Sequence, residues 1–198
     1  ALRHSITKMS HLHFVAAEAY RQRVIQLGEQ PARVFLVGGL GIDNIKRLQL
    51  LDRTALEASL DLKLGTKNLL ITFHPVTLET ATAEKQMGKL LEALAALKDT
   101  LLIFTLPNAD TDGRALINMV EKFVALHTNA RAYASLGQLR YLSCIAQVDG
   151  VVGNSSSGLA EVPSFKKGTI NICDRQRGRL QAESVINCEP TRESIASA

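Results

Sequence analysis

The stretch GVVGNSSSG, residues Gly150 to Gly158, joins a short apolar run to a loop of glycine and serine. Continuous hydrophobicity over Gly150–Val152 is typical of a strand that is covered on both faces, as in a parallel sheet. Ser155 is a plausible N-cap for a helix over Ser155–Val162. A strand, a glycine turn and a helix start in succession predict one unit of an α/β fold.

Comparable apolar runs recur along the chain, and polar or turn residues follow most of them. They are Val34–Val37, Leu69–Phe73, Leu101–Thr105, Ala130–Ala134, Thr169–Ile172 and Ser184–Asn187. Helical patterns lie between them at His13–Gly28, Gly41–Gln49, Thr54–Leu60, Leu78–Lys98, Asp112–Leu126 and Leu136–Ala146, with Asp112 as a plausible N-cap. Strands that alternate with helices predict right-handed crossovers and a doubly wound parallel sheet.

The composition excludes several classes of protein. With 198 residues, 46% of them hydrophobic and 21% charged, the chain fits one globular domain with a small attachment, and disorder is not expected. No apolar run reaches the roughly 18 residues that a membrane-spanning helix needs. The three cysteines have no CxxC spacing, so we expect neither a disulfide framework nor a metal site, and a reducing cytoplasm fits best. No cofactor is predicted.

The positive charge of the chain is local. Residues 166–179 hold five basic side chains against Asp174, which accounts for the net charge of +4 of the whole chain. A compact basic patch without aromatic residues favours a small anion such as phosphate over a nucleic acid. A solvated loop that aids solubility is the alternative.

Polar residues follow the predicted strands at the point where each strand ends. They are His74, Asn108, Asn154, the three serines that follow it, and Arg175. Because ligands of doubly wound sheets bind beyond the carboxyl ends of the strands, we expect these residues to share one site.

The serine loop predicts a phosphate cradle within that site. Backbone N–H groups at a helix start point at an anion, and the hydroxyls of Ser155 and Ser156 add donors. Glu161 is placed to bind the sugar hydroxyls of a nucleotide, and an arginine near Arg175 matches phosphate geometry. Simple capping of a helix by the serines is the alternative. The loop is neither a Walker motif nor a GxGxxG fingerprint, which weakens an ATP or NAD interpretation.

Four pieces of the sequence together resemble one enzyme family. FHPVT (residues 73–77), PNAD (107–110), GNSSSG (153–158) with Glu161, and NICDRQRGR (171–179) look like UDP-N-acetylglucosamine 2-epimerases, closest to the hydrolysing branch of the sialic-acid pathway. The opening RHSITKMSHLH (3–13) resembles a segment near the middle of those enzymes. Similar sequences usually carry glycine at the position of Cys173. The resemblance thus covers the C-terminal half of the family.

The resemblance implies a fold of two Rossmann-like lobes in the glycosyltransferase B arrangement, with the substrate in the cleft between them. Residues 1–14 would be an interlobe segment from the end of a missing first lobe, 15–190 the nucleotide-binding lobe, and 191–198 the start of a truncated helix. By the same resemblance, His74 is catalytic and contacts the diphosphate. Ser155 and Ser156 would bind phosphate, Glu161 the ribose, Arg175 the nucleotide, and Asn108 would line the pocket.

The implied reaction eliminates UDP and hydrates the resulting glycal to N-acetylmannosamine or a related 2,4-diacetamido sugar. A glycosyltransferase of the same fold and a non-catalytic UDP-sensing domain are the alternatives. The expected partners are a UDP-sugar, the first lobe of the same polypeptide and further copies of the chain, with neither nucleic acid nor membrane. Because the acid and base carboxylates of the family lie in the first lobe, this chain alone is expected to fold but not to turn over substrate.

Overall fold

The computed structural model describes residues 2–75, 83–107 and 111–198. The chain forms two units, residues 1–47 and residues 48–198. The division falls after Arg47. The predicted boundaries at residues 14 and 190 concern the lobes of a complete enzyme and stay predictions. The predicted strand at Val34–Val37 pairs within the first unit and does not join the larger sheet.

The first unit carries a small parallel sheet. Its elements are α1 (Leu2–Met9), β1 (His13–Val15), α2 (Glu18–Gln26), a 3₁₀ turn (Pro31–Arg33), β2 (Val34–Leu36) and α3 (Leu40–Arg47). In this sheet β1 pairs with β2, His13 lies opposite Val34, and the rings of Phe14 and Phe35 stack at 5.5 Å. The helix predicted from His13 is corrected, because His13–Val15 is a strand and α2 begins at Glu18.

The second unit is built on one parallel sheet, the main sheet. Its strands are β3 (Lys67–Thr72), β4 (Thr100–Thr105), β5 (Ala130–Tyr133), β6 (Gly150–Gly153), β7 (Gly168–Ile172) and β8 (Val185–Cys188). Its helices are α4 (Arg53–Leu60), α5 (Ala83–Leu94), α6 (Thr111–Leu126), α7 (Gly137–Gln147), α8 (Ser157–Ala160) and α9 (Arg192–Ser197), with 3₁₀ turns at Val162–Phe165 and Asp174–Gln176.

The strand order of the main sheet places its switch point between β3 and β6. Among the described strands the order is β5-β4-β3-β6-β7-β8, so the chain builds outward from β3 to one side and then returns to build outward from β6. All of these pairs are parallel, which confirms the predicted doubly wound sheet. Ligands of such sheets bind at the crevice where the order reverses.

An aliphatic core holds the helices on the main sheet. Met87, Leu90, Leu91 and Leu94 of α5 are buried against the sheet, as their helical spacing predicts. Leu97 belongs to the same pattern but lies beyond the end of α5 and is exposed. No helix in the described ranges is both long and apolar enough to span a membrane.

Two predicted helix starts need correction. The helix after the serine loop is a single turn, α8, with Ser156 instead of Ser155 at its N-cap. A 3₁₀ turn follows at Val162–Phe165, because Pro163 has no N–H group with which to continue an α-helix. Asp112 is not an N-cap, since α6 already begins at Thr111.

Candidate functional site

Gly153 lets the ends of β3 and β6 approach each other at the switch point. It pairs with Thr72 in the register of the two strands and has a φ of +143°. A Cβ at this position would lie 1.9 Å from the Thr72 carbonyl oxygen, which no side chain can tolerate. The close approach of the two strand ends therefore requires glycine at this position, in addition to any role of Gly153 in the turn.

Asn154 follows Gly153 and joins the segments that carry three of the predicted site residues. The His74 N–H donates to Asn154 Oδ1 at 2.8 Å, and Arg175 Nη1 donates to the Asn154 carbonyl oxygen at 3.0 Å. Ser155 is the next residue in the chain. His74, Ser155 and Arg175 thus lie at the carboxyl edge of the main sheet, around one buried asparagine.

The serine loop presents backbone donors at this edge. In the described part of the chain, the N–H groups of Ser155 and Ser156 have no hydrogen-bond acceptor, whereas the Ser157 N–H donates to Ser155 Oγ at 3.3 Å. Because α8 has only four residues, its dipole is small. The capacity of the loop to hold an anion therefore depends on individual N–H groups, and little on a helix dipole.

A cavity of about 390 Å³ lies beside the loop. It is bounded by the ends of β3 and β4, by the loop at residues 134–136, by the start of α7, and by Ser155 and Ser157. Ser156 does not line this cavity. The neighbouring Ser157, which was not among the predicted site residues, does line it, and its buried hydroxyl lies beside that of Tyr141.

Tyr141 of α7 is a second cavity residue that the sequence analysis missed. Its hydroxyl is buried at the cavity wall. Burial raises the pKa of Tyr141, the nearby hydroxyls of Ser157 and Thr72 lower it in part, and the charge of Glu161 raises it further. A tyrosine in an amphipathic helix pattern is easily assigned to the core, so no signal in the sequence marked it.

Glu161 ends α8 and is half-buried. Its effect on Tyr141 places its carboxylate within electrostatic reach of the cavity. Ser155, Ser157 and Tyr141 line the cavity, whereas Glu161 acts on it through its charge without lining it. A carboxylate beside a polar cavity can accept hydrogen bonds from ligand hydroxyls.

Arg175 is an exposed residue whose guanidinium is partly buried near the charge of Arg179. Partial burial of the guanidinium lowers the pKa of Arg175, and the neighbouring charge of Arg179 lowers it as well. The side chain is anchored through one of its five N–H donors to Asn154, which leaves others to bind a ligand. A bound anion would favour the charged form of the guanidinium, and shifted pKa values occur often at binding sites.

Asn108 and Asp110 lie outside the described residues, so the prediction for Asn108 stays a prediction.

Cys173 connects β7 to the Arg175 turn in a conformation suited to glycine. Its φ is +59° and its ψ is −175°, a region that residues with a Cβ adopt at a cost of about 1–3 kcal/mol. Its N–H still donates to the Cys188 carbonyl oxygen at 3.1 Å, so the pairing with β8 holds the strained residue in place.

We expect Cys173→Gly to be more stable than Cys173→Ala by about 1 kcal/mol, because both variants lose the thiol and only glycine removes the strain. Urea denaturation of the two variants measures the difference. Equal stability, or a more stable alanine variant, would contradict the assignment of strain to this residue.

The main sheet, its switch point and its flanking helices define a Rossmann-like lobe of the glycosyltransferase B arrangement. The family model for UDP-N-acetylglucosamine 2-epimerase matches residues 1–198, and the chain belongs to that family.

Individual relatives agree with this assignment. The chain is 42% identical over 190 residues to a GDP/UDP-N,N'-diacetylbacillosamine 2-epimerase (hydrolyzing) of Campylobacter jejuni, with 96% of this chain and 50% of that protein covered. It is 43% identical over 198 residues to the polysialic acid biosynthesis protein P7 of Escherichia coli, covering 98% of this chain and 49% of that protein. The chain therefore spans about half the length of these relatives.

A solved structure supports the fold. The S. aureus MnaA–UDP co-structure superposes with a TM-score of 0.72 at 14% identity, covering 97% of this chain and 50% of that chain. At this level of identity the likeness concerns the fold alone.

Proposed function

We propose that this chain is the UDP-binding lobe of a hydrolysing UDP-N-acetylglucosamine 2-epimerase. The observation that carries the proposal is a convergence at the switch point of the main sheet. His74 and Arg175 meet there with the N–H groups of Ser155 and Ser156, which have no acceptor among the described residues. The relative from Campylobacter jejuni named as a hydrolysing 2-epimerase and the neighbour determined with UDP agree with it. They favour it over a glycosyltransferase and over a UDP-sensing domain.

In this proposal the diphosphate binds the serine loop. The N–H groups of Ser155 and Ser156 and the guanidinium of Arg175 are donors that match phosphate oxygens. The nucleoside occupies the adjacent cavity, where Glu161 accepts hydrogen bonds from the ribose hydroxyls. Asn108 is proposed for the same pocket on the resemblance alone.

The chemistry follows from the leaving group. When the bond between the sugar and UDP breaks, negative charge grows on the diphosphate, and donors fixed around it lower the barrier. His74 is proposed as the donor that acts on this charge. Water then adds to the glycal and gives the free 2-epimeric sugar, N-acetylmannosamine or a 2,4-diacetamido sugar. The carboxylates that move protons at the sugar are assigned to the first lobe of the complete enzyme.

Cys144, Cys173 and Cys188 are free thiols, which fits a reducing cytoplasm. Assembly into a homo-oligomer, and the presence of the first lobe on the same polypeptide, are proposed from the resemblance. UDP release from UDP-N-acetylglucosamine by this chain alone would show that the first lobe is not needed for the elimination.

We expect Arg175→Ala to weaken UDP binding about 10- to 100-fold, because a charge-assisted hydrogen bond contributes roughly 1.5–3 kcal/mol. Arg177→Ala is the matched control. Its guanidinium is exposed and pairs with Asp174 at 3.3 Å on the surface, so we expect less than a threefold change. Calorimetric titration of both variants with UDP measures the two effects, and equal affinities would contradict the proposed placement of the diphosphate.

A further inference from the structure

The geometry points to Asn154 as the positioning residue of the diphosphate site. We propose that its carboxamide fixes the peptide of His74 while its carbonyl fixes Arg175, so that both side chains meet the phosphates together. The inference rests on the proposed function and assigns to that site a residue that does not itself touch the nucleotide.

The side chain of Asn154 makes hydrogen bonds with both the backbone N–H and the backbone carbonyl of His74. Its Oδ1 accepts from the His74 N–H at 2.8 Å, and its Nδ2 donates to the His74 carbonyl oxygen at 2.8 Å. The backbone N–H of Asn154 donates to the Thr72 carbonyl oxygen at 3.1 Å. The carboxamide thus continues the pairing of β3 with β6 past the ends of both strands. His74 is held at this point although it lies 80 residues away in the chain.

The carbonyl oxygen of Asn154 holds the segment after β7. It accepts from Arg175 Nη1 at 3.0 Å and from Gln176 Nε2 at 2.7 Å. Gln176 is 1% exposed, so this contact anchors the Arg175 turn from inside the protein. One residue, fully buried at 0% exposure, therefore links the ends of β3, β6 and β7.

Asparagine is suited to this position because it presents one acceptor and one donor in a plane. Alanine supplies neither, and leaves the His74 N–H and carbonyl without these partners in a buried site. An ionised aspartate supplies only acceptors, so its second oxygen would face the His74 carbonyl oxygen. A protonated aspartic acid has one donor and one acceptor again. Burial favours this neutral form, whereas the guanidinium of Arg175, which contacts the carbonyl of residue 154, favours the ionised one. The thiol of Cys173, 3.9 Å from Asn154 Nδ2, is the other titratable group close to this side chain.

Asn68 provides a matched control at the opposite end of β3. It is also buried, and it holds a neighbouring residue in the same way. Its Oδ1 accepts from the Gly65 N–H at 2.8 Å, and its Nδ2 donates to the Gly65 carbonyl oxygen at 3.1 Å. Asn68→Ala therefore removes the same two kinds of hydrogen bond at the amino edge of the sheet, away from the proposed phosphates.

The experiment titrates UDP and uridine into the unchanged chain and into Asn154→Ala and Asn68→Ala, with thermal unfolding followed in parallel. We expect Asn154→Ala to bind UDP about 10- to 100-fold more weakly and uridine equally well, since only the phosphate contacts are misplaced. Asn68→Ala should lose a similar amount of thermal stability and keep its UDP affinity. Asn154→Ala with wild-type UDP affinity would overturn the inference, as would an equal loss for UDP and uridine.

Asn154→Asp keeps the test valid if the alanine variant does not fold. Relative to the unchanged chain at each pH, its UDP affinity should be low at about pH 8 and recover towards pH 5, as the introduced carboxyl takes up a proton and regains a donor. An affinity ratio that is constant with pH, or wild-type affinity at pH 8, would contradict the positioning role. Absence of UDP binding by the unchanged chain would instead refute the proposed function itself.

Discussion

Gly153→Ala should destabilise the second unit by about 2–6 kcal/mol and abolish UDP binding. The Cβ would lie 1.9 Å from the Thr72 carbonyl oxygen, and the φ of +143° is itself unfavourable for alanine. Overpacking and backbone strain each cost about 1–3 kcal/mol. To relieve the clash, β6 must move away from β3, which separates Asn154 from His74 and breaks the site at its centre.

Gly150→Ala is the control for this prediction, because Gly150 begins the same strand. A Cβ there would meet the Gly168 carbonyl oxygen at 3.5 Å and Leu69 Cδ2 at 3.6 Å, which are ordinary contacts. We expect a change of less than about 1 kcal/mol and unchanged UDP affinity. Urea denaturation and calorimetry measure both variants. A mild effect of Gly153→Ala, similar to that of Gly150→Ala, would show that the two strand ends need not approach closely.

His74→Ala should lower the turnover of the complete enzyme by about 10- to 150-fold. The estimate takes a charge-assisted hydrogen bond of roughly 1.5–3 kcal/mol and about 1.4 kcal/mol for each factor of ten. The substitution spares the contacts with Asn154, because these use the backbone of residue 74 and not its imidazole. The variant therefore removes the imidazole and its chemistry, while the backbone of residue 74 keeps its hydrogen bonds to Asn154.

The division of the His74→Ala effect between kcat and KM separates the possible roles of His74. If the imidazole acts on charge that develops as UDP leaves, kcat falls and KM barely changes; if it binds ground-state UDP equally well, KM rises and kcat holds. We expect the first result, because the developing charge is larger than the resting one. Steady-state kinetics and unfolding of the same preparation measure both. A variant that is less stable but has an unchanged kcat would show that His74 contributes to packing and not to catalysis.

The main sheet was predictable because its central strands β3, β4 and β6 are largely buried on both faces. Runs such as Leu69–Phe73 and Leu101–Thr105 are continuously apolar, and this pattern identifies parallel strands without any knowledge of their partners. The first unit was harder to predict. The strand β1 has three residues and is followed closely by α2, so a short apolar segment there was assigned to the helix.

Site residues were predictable where the topology of the sheet fixes their position. They were not predictable where their position depends on how a helix packs on the sheet. Strand ends of a doubly wound sheet share one edge, which is why His74, Ser155 and Arg175 were expected to be neighbours. Tyr141 and Ser157 face the cavity only because of how α7 and α8 are oriented on the sheet. The link from Asn154 to His74 spans 80 residues, and no local pattern reports it.

A crystal structure of this chain grown with UDP tests the central claim most directly. The account predicts the diphosphate within hydrogen-bonding distance of the Ser155 and Ser156 N–H groups and of Arg175, with the nucleoside in the cavity beside Tyr141. UDP bound elsewhere on the chain, or a diphosphate that contacts neither the serine loop nor Arg175, would contradict it.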